Sequence, residues 1–600
     1  MHIMEGFLPG PWWQLWTVLA TVCVLAGMIS LVRLVKRNPG SLPLLGLAGA
    51  CVFILSSLKL PSVGSSSHPT GTGFGSILFG PAICSVFCTI VLVFQTLLLA
   101  HGGITTLGAN IISMGLAGPL AACMIFKIGH FVRPTFSIRS FSVTVFCAAA
   151  AADLVTYMMT SLQLALAYPS AEGGVLATFL VYIGIFSITQ IPLAVLEGVV
   201  IVLMMRFVIR IRPDIFVSLG ILSKKETTAL LPVSEQKHVP VSKHKWLIAG
   251  FVIVLLTAAF AFSLAVFGSQ PGSDDLVAET LIDLGNLPVF DPFNLVSENM
   301  HGWLFALQAG IGTAVLLLCL YLLRTRTAAT RGSVKKPHTI FDEHILDDVA
   351  INSPLRHVSA WLKLVLCLSA IVIGVISPLP YLPLFIAGVM ICAALIVAKV
   401  SPRLYCSLLS IPLVFAGTGA LVILFITGGG ETLVDFFRIG TFHVQITTDS
   451  LELAILVLSR TFAGMCSLYF LTLTTPLTSL FEVFRSLRMP QAFIDLSMLI
   501  YRYIFVFIGE AIAIHNAQIM RGGYGTWKNY LTSFSMLVSM LFIRTWEKGE
   551  AIFLSMDSRC YDGYMALPDE GGHVTPLSVT SVFLFIAFIL GLLFAEILLL

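Results

Sequence analysis

The chain has 600 residues, of which 57% are hydrophobic and 11% are charged, whereas soluble domains carry about 25% charged residues. Many apolar runs exceed the ~18 residues that predict a membrane helix, so the composition excludes a soluble protein and predicts an all-α polytopic membrane protein surrounded by lipid. The net charge is only +3 and the basic residues lie in short flanks between apolar runs, which excludes a nucleic-acid partner.

The first apolar run, residues 13–35, is predicted to cross the membrane with its N-terminal end outside. No Lys or Arg precedes it, so it does not read as a cleavable signal peptide, and the basic cluster that begins at Arg33 closes it. The positive-inside rule therefore places that cluster inside and His2 outside. A second predicted span, residues 41–60, returns the chain to the outside, which puts the loop around His68 on the same face as His2.

The free start of the chain is a candidate metal site. The α-amine of Met1, the backbone nitrogen of residue 2 and the imidazole of His2 can chelate one cation in fused rings, and His68 in the polar loop GSSSHPTGTG would add a fourth nitrogen. Planar, all-nitrogen sites suit Ni(II), Cu(II) and some Co(II) forms, whereas Zn prefers a tetrahedron and Mg or Ca prefer oxygen. The alternative is an ordinary solvated histidine near a terminus.

The chain from His68 to the next basic residue, Lys127, is predicted to cross the membrane three times. Glycines and a proline supply the breaks, since short broken helices are tolerated where they line a polar cavity. The polar stretch HGGITTLGAN (101–110) falls within this region. His101 and Asn110 are candidates to support the metal ligands from behind; the alternative is an ordinary turn between helices.

Residues 1–213 then form one membrane domain, completed by two spans at 140–165 and 175–206. A Lys-rich, Pro-containing stretch at 214–245 predicts a cytoplasmic linker.

Residues 246–325 are predicted to form a two-helix module whose outer loop is acidic and without Lys or Arg. That loop is interpreted either as a cation-gathering surface or as an ordinary non-basic outer loop.

A second basic linker at 326–356 precedes a domain at 357–600 with five predicted spans and a long, largely helical segment at 476–575. The pieces AQIMRGGYG and AIFLSMDSRCYDG in this segment each place an Arg, Arg521 and Arg559, before a small residue and a Tyr. The planar guanidinium pairs bidentately with carboxylates, so the two ends are predicted to dock on a partner protein; the alternative is a solvated helix end. The spans are 359–377, 379–398, 406–427, 450–474 and 577–599.

No catalytic motif is present. The chain has neither the phosphate-binding GxxxxGK[ST] nor HExxH, and no Ser/His/Asp pattern stands out. The sequence therefore predicts no ATP hydrolysis and no catalytic residues. A metal-sensing receptor and an ATP-independent divalent metal permease stay open as alternative functions, although the spans hold few acidic residues suited to proton relays.

Several of these motifs resemble one known family. MHIMEGFLP, SSSHPTGTG, LFGP and HGGITTLGAN, all within residues 1–213, resemble the substrate-binding M component (CbiM/NikM) of energy-coupling factor (ECF) transporters for cobalt and nickel. WLFALQAGIG (303–312) resembles the second helix of the small N component, CbiN. Residues 340–600, with the two Arg motifs, resemble the transmembrane T component, CbiQ. The chain thus resembles a fusion of three membrane components.

The resemblance implies a transported ion, cobalt(II) or nickel(II), held by the terminal amine and by the backbone nitrogen and ring of residue 2. The loop histidine supplies the last ligand, so Met1, His2 and His68 match the family's positions. The MHIMEG and FALQAGIG segments are closer to the cobalt proteins of the family. The implied role is cobalt uptake for cobalamin synthesis across the plasma membrane.

The resemblance also implies separate ABC-type ATPase subunits, gripped by the coupling helices of the T component. The usual T motif is Arg-Gly, which Arg521 and Gly522 match, whereas Arg559 is followed by Cys560. The predicted protein is the membrane part of an ATP-driven importer. It has about 14 membrane helices, seven in the M-like, two in the N-like and five in the T-like region, and long cytoplasmic coupling helices near the C-terminus.

Overall fold

A computed structural model describes most of the two larger predicted domains, and the described part is almost entirely helical. In that part, nine helices are long and apolar enough to cross a membrane, and four shorter apolar helices accompany them. The predicted all-α polytopic class is therefore confirmed. The predicted module at 246–325 lies outside the described residues, which are 2–38, 40–57, 60–62, 65–133, 136–169, 174–230, 345–426, 431–439, 442–525, 527–561 and 574–599.

The N-terminal part, residues 2–230, begins with a long apolar helix and ends with two short ones. Capping explains several boundaries: Ser137 and Ser140 form a reciprocal capping box, and Pro81 opens a helix at a position where its missing N–H costs nothing. The elements are α1 (Trp12–Arg37), α2 (Ser41–Ser57), β1 (Leu60–Ser62), β2 (Ser65–Ser67), α3 (Thr72–Phe79), α4 (Pro81–Leu99), α5 (Leu107–Asn110), a π-helical segment (Ile111–Ala117), α6 (Gly118–Val132), α7 (Ile138–Ala167), α8 (Gly174–Ile211), α9 (Pro213–Ser218) and α10 (Lys224–Leu230).

Strands β1 and β2 form a short antiparallel hairpin, with Leu60 opposite Ser67, just before His68. Where the sequence predicts three crossings, the chain forms three helical stretches: α3, α4 and the rod formed by α5, the π segment and α6. Of these, α4 and the rod are long and apolar enough to cross a membrane, whereas α3 has only eight residues. Helices α3 and α4 turn back on each other at Gly80, whose φ is +80°, a conformation that favours glycine. A Cβ on Gly75 would overlap the ring of Phe87, so the two helices pack closely.

The packed N-terminal part extends beyond the predicted boundary at residue 213. The sequence predicts a linker from residue 214, but α9 and α10 continue the folded chain to residue 230. Ile215, Phe216, Leu222 and Leu230 are buried there. Their apolar surface holds the segment against the domain, and the neighbouring lysines hide this signal in the sequence.

The C-terminal part, residues 345–599, contains a helix at each of the five spans that the sequence predicts for it. The helix at Gln491–Met520 is also long and apolar enough to cross a membrane, although it lies in the segment 476–575, for which the sequence predicts no span. A two-stranded sheet, which the sequence does not predict, precedes the helix at Thr448–Thr474. The elements are α11 (Ile345–Ile351), a 3₁₀ turn (Pro354–His357), α12 (Ala360–Ile376), α13 (Tyr381–Cys392) with a π-helical end (Ala393–Val397), α14 (Pro402–Ile426), β3 (Thr432–Ile439), β4 (Phe442–Thr447), α15 (Thr448–Thr474), α16 (Leu477–Ser486), α17 (Gln491–Met520), α18 (Trp527–Asp557) and α19 (Pro576–Leu599).

The described residues up to 433 and those from 446 onward pack together in one compact unit, and the described residues between 434 and 445 belong to a second unit. Small residues let helices from the two parts approach closely, as is usual in membrane bundles. Helix α2 packs on α17, where a Cβ on Gly49 would lie 2.6 Å from Cδ1 of Ile500. Helix α15 packs on α12, α13 and α14 and also on α4.

Candidate metal centre

Three imidazoles meet in the interior of the N-terminal part. His2, His68 and His101 each offer one nitrogen, and these atoms all lie within 4.8 Å of one another. The ring centroids of His2 and His68 are 4.5 Å apart, and those of His2 and His101 are 4.6 Å apart. The exposed fractions of the three side chains are 0%, 0% and 2%. A buried cluster of three imidazoles offers nitrogen ligands to a transition-metal ion.

Hydrogen bonds around His2 determine which of its ring nitrogens carries the proton. The hydroxyl of Ser56 donates to its own helix at the carbonyl of Val52, so it accepts from the side-chain NH₂ of Gln95. The amide oxygen of Gln95 therefore faces His2, and Nε2 of His2 donates to it at 2.9 Å. With the proton on Nε2, the lone pair lies on Nδ1, the nitrogen that closes a chelate ring with the backbone.

His68 is oriented by its own loop. Its Nδ1 lies 3.0 Å from the carbonyl oxygen of Pro69, which can only accept, so the lone pair lies on Nε2. The carboxylate of the buried Glu197 holds the next turn of the loop. It accepts from the backbone N–H groups of Thr70 at 2.6 Å and Gly71 at 2.9 Å, and from the Thr70 hydroxyl. An oxygen acceptor behind the ring, as in Gln95 for His2 and Pro69 for His68, is the usual way in which a protein fixes a metal-binding tautomer.

Asn110 supports the N-terminal segment through the backbone of Ile3. Its side chain brackets Ile3: Oδ1 accepts from the backbone N–H at 2.8 Å, and Nδ2 donates to the backbone carbonyl at 3.0 Å. The hydroxyl of Thr106 donates to the same carbonyl at 2.8 Å. These bonds fix the residue that follows His2, and so they restrict where the imidazole can lie.

His101 enters the cluster through a strained turn. Ala100 before it has φ +43° and Gly102 after it has φ +81°, and a left-handed conformation is costly for a residue with a Cβ. The backbone N–H of His101 donates to the carbonyl of Gln95 at 3.1 Å, which ties this turn to the helix that supports His2. The sequence predicts His101 as a supporting residue behind the ligands, whereas the structure places it beside them.

Glu5 closes the site on the side of the 101–110 loop. Its carboxylate accepts from the backbone N–H groups of Ile104 and Thr105 and from the Thr105 hydroxyl. Burial raises the pKa of this carboxyl, and the hydrogen bonds act in the opposite direction. The backbone N–H of Glu5 donates to the carbonyl of Gly102 at 3.2 Å. His2, Ile3 and Glu5 are thus each held by hydrogen bonds to residues distant in sequence.

The sequence singles out His2, His68, His101 and Asn110, and the structure brings all four into this region; Met1 lies outside the described residues. Three supporting residues were missed: Glu5, Gln95 and Glu197. Two of them carry a recognisable signal, since Gln95 and Glu197 are isolated polar residues within apolar runs. Such residues inside membrane helices mark functional sites by default.

The first Arg motif ends α17 with a Schellman cap. The N–H of Gly522 donates to the carbonyl of Ile519 at 3.0 Å, and that of Gly523 donates to Gln518 at 2.8 Å. Gly522 has φ +69°. A residue in the left-handed conformation, usually glycine, is typical of this cap.

The second Arg motif ends α18 with the same cap, although it has no glycine. The N–H of Cys560 donates to Asp557 at 2.9 Å, and that of Tyr561 donates to Met556 at 3.1 Å. Cys560 has φ +57° and occupies the position of Gly522 in the first cap. The departure from Arg-Gly at this position therefore leaves the local backbone geometry unchanged.

Both arginines are exposed at these helix ends, and a tyrosine anchors each end. The hydroxyl of Tyr524 lies 2.9 Å from Nδ1 of His515 on α17. The hydroxyl of Tyr561 donates to the carboxylate of Asp495, near the start of α17, at 2.8 Å. Arg521 and Arg559 thus project from two fixed caps of the same type.

Comparison with known proteins assigns both regions. Residues 2–215 match CbiM, described as the cobalt uptake substrate-specific transmembrane region, and residues 351–569 match CbiQ, described as a cobalt transport protein. The whole chain is 84% identical over 600 residues to a fused cobalt transport protein CbiMQ of Methanocorpusculum labreanum, and the match covers 100% of both chains. The chain belongs to the fused CbiM–CbiQ cobalt transport proteins.

Shorter relatives match the CbiM region alone. A cobalt transport protein CbiM 1 of Methanosphaerula palustris is 50% identical over 232 residues, which cover 38% of this chain and 98% of the relative. The cobalt transport protein CbiM of a Nostoc species is 55% identical over 204 residues, covering 34% of this chain and 76% of the relative. The histidine cluster lies in the CbiM region and both Arg motifs lie in the CbiQ region. The protein is thus a multi-pass component of a cobalt uptake transporter rather than an enzyme.

Proposed function

We propose that the protein is the membrane part of an ATP-driven ECF-type importer of Co²⁺, which binds the ion from outside and works with separate ABC-type ATPase subunits. The observation that carries the proposal is the buried cluster of His2, His68 and His101, whose nitrogens lie within 4.8 Å of one another. The relatives named as cobalt transport proteins support cobalt as the cargo.

We assign the ligands from the tautomers. Nδ1 of His2 and Nε2 of His68 carry lone pairs, because Gln95 and Pro69 accept the protons of the opposite nitrogens. Together with the amine of Met1 and the backbone nitrogen of residue 2, they complete four nitrogens. His101 adds a further imidazole at the same place. Such a donor set also suits Ni²⁺, so nickel is a second cargo of the same site.

We assign the energy for release of the ion to the ATPase subunits, which contact the membrane protein at its two Arg-bearing helix caps. Arg521 and Arg559 are exposed, and Met520 beside the first is 88% exposed. Guanidinium groups on fixed helix ends favour a partner that offers carboxylates. In this proposal ATPase closure moves α17 and α18, the CbiM region reorients, and the ion leaves on the inside.

The experiment is metal analysis and titration of the full chain with a free N-terminus, followed by uptake into vesicles with a co-expressed ABC ATPase. Tight Co²⁺ binding together with ATP-dependent uptake supports the proposal. Binding without uptake in the presence of the ATPase would indicate a metal-sensing receptor. Uptake that persists without ATP would indicate an ATP-independent permease. A protein that binds neither Co²⁺ nor Ni²⁺ would rule out the site.

A further inference from the structure

The chain segment that carries His2 touches the CbiQ region directly, three residues after the histidine. The hydroxyl of Thr461 on α15 lies 2.7 Å from the carbonyl oxygen of Glu5. It also lies 2.8 Å from the carbonyl of Val457 on its own helix, so its single proton is shared between the two. A buried hydroxyl placed between two carbonyls links the terminus to the helix backbone.

The same face of α15 is shaped to the terminus. A Cβ on Gly464 would overlap Cγ of Glu5, so only glycine leaves room for that side chain. A Cβ on Gly6 would lie 2.9 Å from Cβ of Arg460, and Gly6 itself has φ +78°. Residues 460, 461 and 464 share one helical face, and all three meet residues 5–6.

Helix α15 also reaches the support of His2 from its other end. The hydroxyl of Thr472 lies 2.7 Å from the carbonyl of Leu97 on α4, two residues after Gln95. Gln95 is the residue that fixes the tautomer of His2. The guanidinium of Arg460, on the same helix, donates to the carbonyl of Ser377, between α12 and α13, at 2.6 Å. One helix of the CbiQ region thus contacts both the segment that carries His2 and the helix that orients it.

We propose that α15 controls the metal site and that Thr461 and Gly464 are positioning residues for His2. The inference rests on the proposed function and goes beyond it by naming α15 as the element of the CbiQ region that acts on the metal site. Ile3 is bonded to Asn110 and Thr106, and Glu5 is bonded to Gly102, all within the 101–110 loop. A displacement of α15 therefore pulls the terminus against these bonds and changes the geometry of the ligands. A packed contact of this kind has discrete arrangements rather than a continuous response.

The test uses the full chain with a free N-terminus and measures Co²⁺ affinity by titration, together with the visible absorption spectrum of bound Co²⁺. Gly464→Ala pushes a methyl group against Glu5. We expect an affinity about 10- to 100-fold lower, the usual loss when groups that orient metal ligands are changed, and an altered spectrum. Gly388→Ala is the matched control, because no atom lies within 4 Å of a Cβ placed there.

Thr461→Val keeps the shape and removes the hydroxyl, so it tests the same contact without adding volume. It is expected to lower the Co²⁺ affinity, and Thr461→Ser is expected to restore it. Native affinity and an unchanged spectrum in both Gly464→Ala and Thr461→Val would overturn the inference. If the native protein itself binds no Co²⁺, the proposed function fails instead, so the two failures are distinguishable.

Discussion

Cys560 adopts the backbone conformation of Gly522, its counterpart in the other helix cap: φ is +57° in one and +69° in the other. The left-handed conformation costs an L-residue about 1–2 kcal/mol, and glycine adopts it freely. The second cap therefore keeps the common geometry at an energetic cost that the first cap avoids.

Cys560→Gly is expected to stabilise the end of α18 by about 1 kcal/mol. The measurement is hydrogen exchange at the amide of Tyr561, which donates the second bond of the cap and should exchange about fivefold more slowly. Gly522→Ala is the opposite change in the matching cap and should speed exchange at the end of α17. Equal exchange in Cys560→Gly and native protein would contradict the strain that we assign to this residue.

Replacing Arg521 and Arg559 together by Ala is expected to abolish ATP-dependent Co²⁺ uptake and to leave Co²⁺ binding intact, because both arginines are exposed at helix ends whereas the three histidines are buried. The measurements are uptake by vesicles with the ATPase and titration of the purified chain. Arg403→Ala, which removes another exposed arginine of the CbiQ region, is the control. Normal uptake by the double variant would exclude these residues as docking points.

The terminus gives the most direct test of the metal site. One residue added before Met1 converts the amine into an amide, and His2→Ala removes the ring and the second chelate ring, so both changes are expected to abolish high-affinity binding. His68→Ala removes one ligand and is expected to bind more weakly than the native chain. Isothermal titration with Co²⁺ and Ni²⁺ on the three variants establishes the order. Native affinity in the extended chain would place the site elsewhere.

His101→Ala is expected to lower the Co²⁺ affinity about 10- to 100-fold, because the ring lies in the same cluster as His2 and His68. The absorption spectrum of bound Co²⁺ separates two roles: it changes if His101 binds the ion and stays the same if the ring only supports the ligands. His130→Ala is the control, since that ring lies 2.9 Å from Glu226 and outside the cluster. An unchanged affinity in His101→Ala would remove His101 from the site.

Two buried carboxylates of the CbiM region are expected to respond differently to neutralisation. Glu197→Gln replaces an acceptor of two backbone N–H groups by an amide, which should disturb the His68 loop and weaken Co²⁺ binding about tenfold. In the described structure neither carboxylate oxygen of Asp153 accepts a hydrogen bond, so Asp153→Asn breaks no hydrogen bond and should not lower the unfolding temperature. Asp153 acts on Glu197 only through its charge, so this variant should change the Co²⁺ affinity less than Glu197→Gln does. Titration and thermal unfolding of both variants provide the comparison. Equal effects would contradict the role assigned to Glu197.

Composition and hydropathy are local quantities, and from them the sequence predicts the membrane class, the helices and most of their bounds. The terminal chelate is local as well, because Met1 and His2 are adjacent. The prediction that His68 joins it needs only the count of membrane crossings. Two spans are predicted between His2 and His68, so both histidines fall on the same side of the membrane. The packed chain continues past the predicted boundary at residue 213, because buried apolar side chains stand among lysines there and the average composition of the stretch hides them.

Only the tertiary structure decided which distant groups meet these residues. His101 joins His2 because α3 and α4 turn back at Gly80 and return the chain to the cluster, and no sequence period relates residues 2, 68 and 101. Gln95, Glu197 and Thr461 act through hydrogen bonds that span 93, 127 and 456 residues of sequence. Such contacts depend on how helices pack. Packing follows from the shapes of many side chains together, including glycines such as Gly464 whose role is to leave space for another residue.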